Sequence, residues 1–453
     1  MKKKIFLLLT FITVSINIFA DSFISEYMGN KFVVVTHNDG TAQLGEKDES
    51  ALDHNPSISY VGEVLLPDSI TYNGKNYVLN TISQYYFNGQ SQMTKLIIPD
   101  SYSDIGHNVI NGCTSLKEIS LGKSIKRVFK GGIDGGHNID NLIFNNSELF
   151  FEYNKDNKHG ALTGLEDNLK RVFCFDKEPK DVISTDYVNG KYITPYYDPF
   201  VKIGKTAILY VPMGTKNIYK EKFGWKDFER IVEILVLDEN DSIRYDKEIT
   251  EDDSVAVYFY RSISKNKWNT FSSPLTFKQD EVKNLFGNDA MVLEFNPLSN
   301  HNVLRFTEVK NIDPNVPYII KSSKSWVSQF FEIRDVAKPE PKTINGNVFN
   351  FAAVYNVGYV PDGKWFLNGN NFYRSRGKNK IKGFRSILGL NVPNNNAKPM
   401  SFIIGTTTDI TETLAEIEKK ENSIYNLNGV KVPNNSTLKK GIYIIKNKKV
   451  IIR

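Results

Sequence analysis

The stretch Phe87–Gly106 reads FNGQSQMTKLIIPDSYSDIG, and Ile110–Phe129, which begins 23 positions later, reads INGCTSLKEISLGKSIKRVF. Aligned this way, Gly89 lies over Gly112, Met93 over Leu116, Leu96 over Ile119 and Ile98 over Leu121. A second step of 23 puts Ile133 over Ile110, Ile139 over Leu116, Leu142 over Ile119 and Phe144 over Leu121. A fixed period in the low twenties is the signature of a solenoid. Within each copy apolar residues alternate over a short stretch, as in Leu96 and Ile98, which is the period of a strand with one buried face. One strand per coil is therefore expected. Gly89, Ser91, Gly112 and Ser115 let the chain bend ahead of each strand, and Pro99 stops the first from continuing. A single coil cannot cover its own apolar side, so the coils stabilise only as an array.

These residues resemble the BspA-like leucine-rich repeat, whose unit runs roughly aromatic, x, Gly, Cys, x, Ser, Leu, x, x, Ile, x, Ile, Pro. Phe87, Gly89, Met93, Leu96, Ile98 and Pro99 fit one unit, and Gly112, Cys113, Ser115, Leu116, Ile119 and Leu121 fit the next. The segment LLPDSITYNGKNYVLNTIS (65–83) is similar to the family's opening unit. Gly122 stands where the family has proline, Gly136 where it has cysteine, and the units decay after Phe144. Four to six coils are expected across about 60–210. AILYVPMGTKNIYKEKFGWKDFERIVEI (207–234) reads as strand, turn, helix and strand, with Thr215 as N-cap, Tyr219 and Phe223 on one face and Gly224 as the stop. It resembles the family's terminal cap. What the resemblance implies is attachment to host matrix proteins and to other cells.

The ends and the charge set further bounds. Lys2, Lys3 and Lys4 precede the apolar run Ile5–Ile18, and Ala20–Asp21 is the expected cleavage point of a secretory signal peptide. No other stretch reaches the roughly 18 apolar residues of a membrane span. The net charge is +6, but the leader carries +3 and residues 422–453 carry +7, which leaves −4 on 21–421. That distribution argues against a nucleic-acid partner. Two cysteines, Cys113 and Cys174, are too few for a disulfide scaffold in an exported chain and are read mainly as buried free thiols, the alternative being one bond.

Beyond the cap, LDENDSIRYDKEITEDDS (237–254) is acidic and poor in apolar residues, and is read as a solvated linker. Residues 255–405 carry many short apolar runs between turn residues, as in VAVYFY, AMVLEF and KWFLNGNNFYR, with one helix near Gln279–Leu285. That pattern predicts a β-sandwich. The segment resembles a domain common near the carboxyl end of exported bacterial proteins, which brings no activity with it. SIYNLNGVKVPNNSTLKKGIYIIKNKKVIIR (423–453) should be a small β-meander, and it resembles the sorting domain of the type IX secretion system.

The fold expected is mainly β: a short leucine-rich-repeat solenoid, a β-sandwich-like domain and a small C-terminal β domain. The domains are a signal peptide (1–20), a repeat domain with its cap (21–236), the acidic linker (237–254), the β-rich domain (255–405), a second linker (406–421) and the sorting domain (422–453).

The six histidines stand far apart and in none of the HExxH, CxxC or HxH contexts, no GxSxG elbow occurs, and GGIDGG (131–136) falls on a repeat turn. No catalytic, metal or cofactor site is expected, and the chain is read as not an enzyme. RSRGKNKIKGFR (374–385) carries Arg374, Arg376, Lys378, Lys380, Lys382 and Arg385 without an acid. Displayed on one hairpin, these six would hold an anionic ligand by summed charge. Trp268, Trp326 and Trp365 are read as core residues, with sugar platforms as the alternative.

The reading is an exported protein, at the cell surface (outer membrane) or extracellular, that binds a host matrix or cell-surface protein, or a glycan, and meets secretion machinery through its C-terminus. A polysaccharide-binding accessory protein using the basic hairpin is the first alternative. An unrecognised hydrolase is the second.

Overall fold

The computed structural model describes residues 22–45 and 58–391, with breaks at 134–137, 155–158, 167, 190, 194–195, 242–248, 250–252, 301–302 and 370. Beyond these it describes the strand 402–405 and, as backbone, four strands after 423. Ala20 and Asp21 lie outside the described residues. The chain divides into two compact units, one of residues up to Val236 together with Ala256–Tyr258, the other of Leu237–Val255 and Phe259 onward.

In the first unit the repeated phrases become parallel rungs. Leu96 pairs with Ile119, Ile119 with Leu142, Leu142 with Val172 and Val172 with Leu209, and Leu209 pairs with Ile231 of the cap. All six side chains belong to one buried apolar cluster, with Ile119 1% and Leu142 0% exposed. The steps lengthen to 30 and 37 residues at Val172 and Leu209, where the coils carry inserted loops, and return to 22 at the cap. That is why the repeat fades in sequence while the ladder continues.

Each coil carries a second short strand that the period did not reveal. Asp104–Ile105, Arg127–Val128 and Phe150–Asn154 pair in parallel, joined by Lys75–Ile82 on one side and Ile183–Thr185 on the other. Two of these strands span only two residues, too short to show alternation. The column between the two ladders is closed at its start by Ser22–Tyr27, Asn30–Thr36 and Thr41–Leu44, whose Phe32, Val34, Ala42 and Leu44 are buried.

At the other end the cap runs Ile208–Pro212, a four-residue helix Lys216–Tyr219 and Arg230–Asp238. Thr215 does not cap that helix with its side chain; its hydroxyl donates to the Pro212 carbonyl at 2.6 Å instead. Tyr219 is fully buried and donates to the carbonyls of Cys174 (3.2 Å) and Asp176 (2.7 Å), while Trp225 donates to Lys180 (3.0 Å). Both cysteines are free and buried, and burial pushes each thiol up to about 12.

The second unit holds two five-stranded sheets, one built on Trp268–Phe271, Tyr318–Lys321, Met291–Phe295, Leu304–Val309 and Phe402–Gly405. The other is built on Thr343–Asn345, Phe349–Val354, Arg385–Leu390, Trp365–Asn368 and Asn371–Arg374. One apolar cluster draws Phe295, Phe306 and Ile319 from the first and Phe351, Trp365 and Phe372 from the second. A helix spans Gln279–Phe286, its Glu281 bonding back to the Lys278 N–H at 2.9 Å. Trp326 and Trp365 are core, at 2% and 1% exposure, and Trp268 is half-buried. The last four strands pair antiparallel in the order Lys431–Val432, Ile424–Asn426, Gly441–Ile445, Lys448–Ile452.

The segment read as a solvated acidic linker is in part core. Leu237 and Glu239 are both 0% exposed, and the strand that follows begins at Asp253. Glu239 is held by Arg261 (3.1 Å), Arg385 (2.9 Å) and Lys382 (3.4 Å).

Candidate functional site

The outer face of the short ladder is where the column departs from plain repetition. Thr81, Asp104, Arg127, Phe150 and Ile183 follow one another across it in register, all half-buried. A hairpin, Tyr187–Val188 with Lys191–Tyr192, is inserted between the last short strand and the cap. Asn189 supplies a left-handed turn residue at φ 51°. The sequence marks this hairpin only by Asn189-Gly190, because neither strand is long enough to alternate.

The hairpin lays its tyrosines against that row. The Tyr192 ring stacks on Phe150 with centroids 4.2 Å apart, and Tyr187 lies 4.9 Å from Tyr192. The Arg127 guanidinium sits 4.6 Å from the Tyr187 ring and 4.2 Å from Phe129, while its Nε donates to Asp104 at 3.0 Å. His107 extends the layer, 5.0 Å from Phe129. A cation between two rings, fixed by a carboxylate, is a rigid arrangement. Outside this layer, Val188, Ile193, Tyr196 and Val201 are 51%, 43%, 48% and 52% exposed. These four large apolar side chains are exposed within 14 positions of sequence, on the insert that carries Tyr187 and Tyr192.

Two features anchor the insert. Ser184 and Tyr197 exchange backbone hydrogen bonds of 2.7 Å, and Phe200 is buried against Phe144, Trp225 and Phe228. Beside them opens a cleft of about 390 Å³, lined among others by Tyr153, Leu162, Glu166, Tyr197, Asp198 and Lys202. Asp198 accepts from the Phe200 N–H at 2.7 Å, and its other oxygen is buried without a donor among the described residues. Burial, and then the neighbouring Asp227 carboxyl, push Asp198 up to about 7.

The six basic residues of 374–385 are not on one hairpin. Arg374 ends a strand paired with Trp365–Asn368, Lys380 lies on one paired with Gly358–Tyr359, and Arg385 begins one paired with Phe349–Val354. Lys382, itself exposed, and Arg385 are paired with Glu239, whereas Arg374, Arg376, Lys378 and Lys380 are exposed without that partner. Among the described residues no group of three or more His, Cys, Asp or Glu is arranged to hold a metal ion, and no helix is long and apolar enough to cross a membrane.

A comparison with curated proteins returns no match. Among solved structures the chain is similar to a leucine-rich repeat protein from Bacteroides capillosus, at 23% identity over 28% of this chain and 84% of that one, with a TM-score of 0.21. It is similar to a leucine-rich cell surface protein from Faecalibacterium prausnitzii, at 15% identity over 42% of this chain and 45% of that one (TM-score 0.26). A third is a leucine-rich repeat protein from Bacteroides ovatus, at 17% identity over 43% and 47% (TM-score 0.24). The chain thus spans just under half the length of the last two. The family comparison is narrower: six copies of the BspA type leucine rich repeat region match residues 69–154. The parallel rungs through Leu96, Ile119 and Leu142 lie within the residues that match the BspA type leucine rich repeat region.

Proposed function

We propose that the chain is an exported, surface-displayed binding protein that grips a host matrix or cell-surface protein in an adhesin-like way, without catalysis. In this reading residues 1–20 direct export, and residues 422–453 serve as the type IX sorting segment read by secretion machinery. The repeat region supports a binding role, since a stacked column tolerates variation on its outer surface without disturbing the buried ladder.

The observation that carries the proposal is the insert at 183–201. Tyrosine and arginine at the centre of a patch, with an apolar surround that excludes water, is the composition in which a few residues supply most of an interface's energy. In this reading Arg127, Tyr187 and Tyr192, which touch one another in turn, form the centre, and the exposed Val188, Ile193 and Tyr196 of the same insert supply the surround. The column holds them fixed, so little ordering entropy opposes binding.

The test is solid-phase binding of the native chain and of the double variant Val188→Asp, Ile193→Asp to a panel of immobilised matrix proteins. Both positions are exposed, so the fold tolerates charge there. Saturable binding of the native chain that the variant loses by tenfold or more supports the proposal. Binding that the variant retains in full moves the contact away from the insert.

A further inference from the structure

Within the second unit, one twelve-residue segment treats its cations in two ways. Lys382 and Arg385 turn onto the buried Glu239. Arg374, Arg376, Lys378 and Lys380 are exposed and have no ion-pair partner among the described residues.

The loop that carries the four is pinned. Ser375 is 1% exposed; its hydroxyl donates to the Val360 carbonyl at 2.8 Å and accepts from the Gly377 N–H at 3.0 Å. Its backbone closes against Gly363 (3.1 Å) and Lys364 (2.7 Å), and Val360 donates to Asn379 at 2.8 Å. Gly377 makes the tight bend at φ 73°. Alternating with the buried Ser375, Arg374 and Arg376 are therefore held outward rather than free to sweep. Two tyrosines stand beside them: Tyr359, 59% exposed, is the cross-strand neighbour of Lys380, and Tyr373, 38% exposed, precedes Arg374. An acid, Asp362, lies beside Gly377, and Lys364 follows it two positions on in the chain.

We propose that this loop is a binding site for a sulfated polysaccharide, with Arg374, Arg376, Lys378 and Lys380 pairing to sulfates and Tyr359 offering its ring to a sugar face. Four cations carried on a pinned backbone match a short run of a densely charged chain. An extended nucleic acid calls for a basic field well beyond one loop, and residues 21–421 carry a net −4. The inference rests on the reading of the chain as an exported binding protein, and places a second contact on the other unit from the insert.

The experiment titrates the full chain with heparin, neutral dextran and duplex DNA at 50 and 300 mM NaCl. It is repeated on the triple variant Arg376→Ala, Lys378→Ala, Lys380→Ala and on a charge-matched control, Lys123→Ala, Lys220→Ala, Lys283→Ala, at exposed positions elsewhere. The expected result is heparin binding that weakens with salt, falls more than tenfold in the loop variant and less than twofold in the control, with no binding of dextran. Tyr359→Ala weakens heparin binding without changing its salt dependence. Equal losses in the two triple variants, duplex DNA bound as tightly as heparin, or no heparin binding at 50 mM NaCl each overturn the proposal. Loss of heparin binding alongside intact matrix-protein binding leaves the insert's role standing, because the two sites share no residue.

Discussion

Glu239 shows how far a single residue can depart from its local context. It sits at the head of an acidic run, where solvation is the natural expectation, yet it is fully buried among three cations. Burial alone would raise its pKa; Arg385, Arg261 and Lys382 together outweigh that and hold it below the usual glutamate range. Arg261, equally buried, falls to about 9, chiefly through burial and the like charge of Arg385. Removing one partner strands the others, so Glu239→Ala is expected to destabilise the second unit by about 3–5 kcal/mol. Denaturant unfolding measures this, and a loss under 1 kcal/mol contradicts it. Asp198 acts in the opposite direction with pH. Its folded pKa lies above its unfolded value, so its contribution is full below about pH 3.8 and is lost as pH rises through about 7. Phe200 N–H, Asp227 and Lys226 are the groups that set this balance. Asp198→Asn cannot ionise and brings an amide donor to Asp227. Its unfolding midpoint should therefore exceed the native one at pH 8 and vary less between pH 5.5 and 8; an unchanged pH slope contradicts the raised Asp198 carboxyl. Neither residue was legible in sequence, because each depends on a partner brought from a distant part of the chain.

At the scale of the element, Gly122 explains a departure from the repeat. A Cβ there would stand 2.3 Å from the Pro99 carbonyl oxygen and 2.4 Å from its carbon, on the preceding coil. Backbone rather than a movable side chain fills the space. Gly122→Ala is thus expected to cost about 2 kcal/mol or more, through strain in a packed column, and a thermal unfolding midpoint unchanged by it would show the coils to be further apart. Ile119→Ala, in the middle of the buried row, should cost about 2–5 kcal/mol by leaving a cavity. The long rungs were legible because four or five residues of alternation with a fixed step suffice to mark them. The short rungs and the 187–192 hairpin were not, since strands of two residues have no period. The insert that carries the proposed contact surface is such a segment, so repeat analysis passes over it.

For the molecule as a whole, the repeat and its cap could be read because nearest-neighbour stacking writes itself into a local period, whereas sheets of the second unit pair strands across long loops. The basic segment illustrates the difference: contiguous in sequence, it is divided among three strand pairs, and only four of its six cations face solvent unengaged. The account's central claim is that the repeated phrases are adjacent parallel rungs. Thr94, Lys117 and Asp140 stand at matching exposed or half-exposed positions on successive coils, with Lys117 N–H donating to Thr94 at 2.8 Å and Asp140 N–H to Lys117 at 2.9 Å. Oxidation of paired cysteine variants reads their order directly, since a disulfide needs Cα atoms within about 7 Å, adjacent strands stand about 4.8 Å apart and strands two rungs apart about 10 Å. Thr94→Cys with Lys117→Cys, and Lys117→Cys with Asp140→Cys, should form disulfides readily, while Thr94→Cys with Asp140→Cys should not, the native cysteines being buried. A Thr94–Asp140 bond forming as fast as the adjacent ones, or no bond between neighbours, would contradict the stacked column.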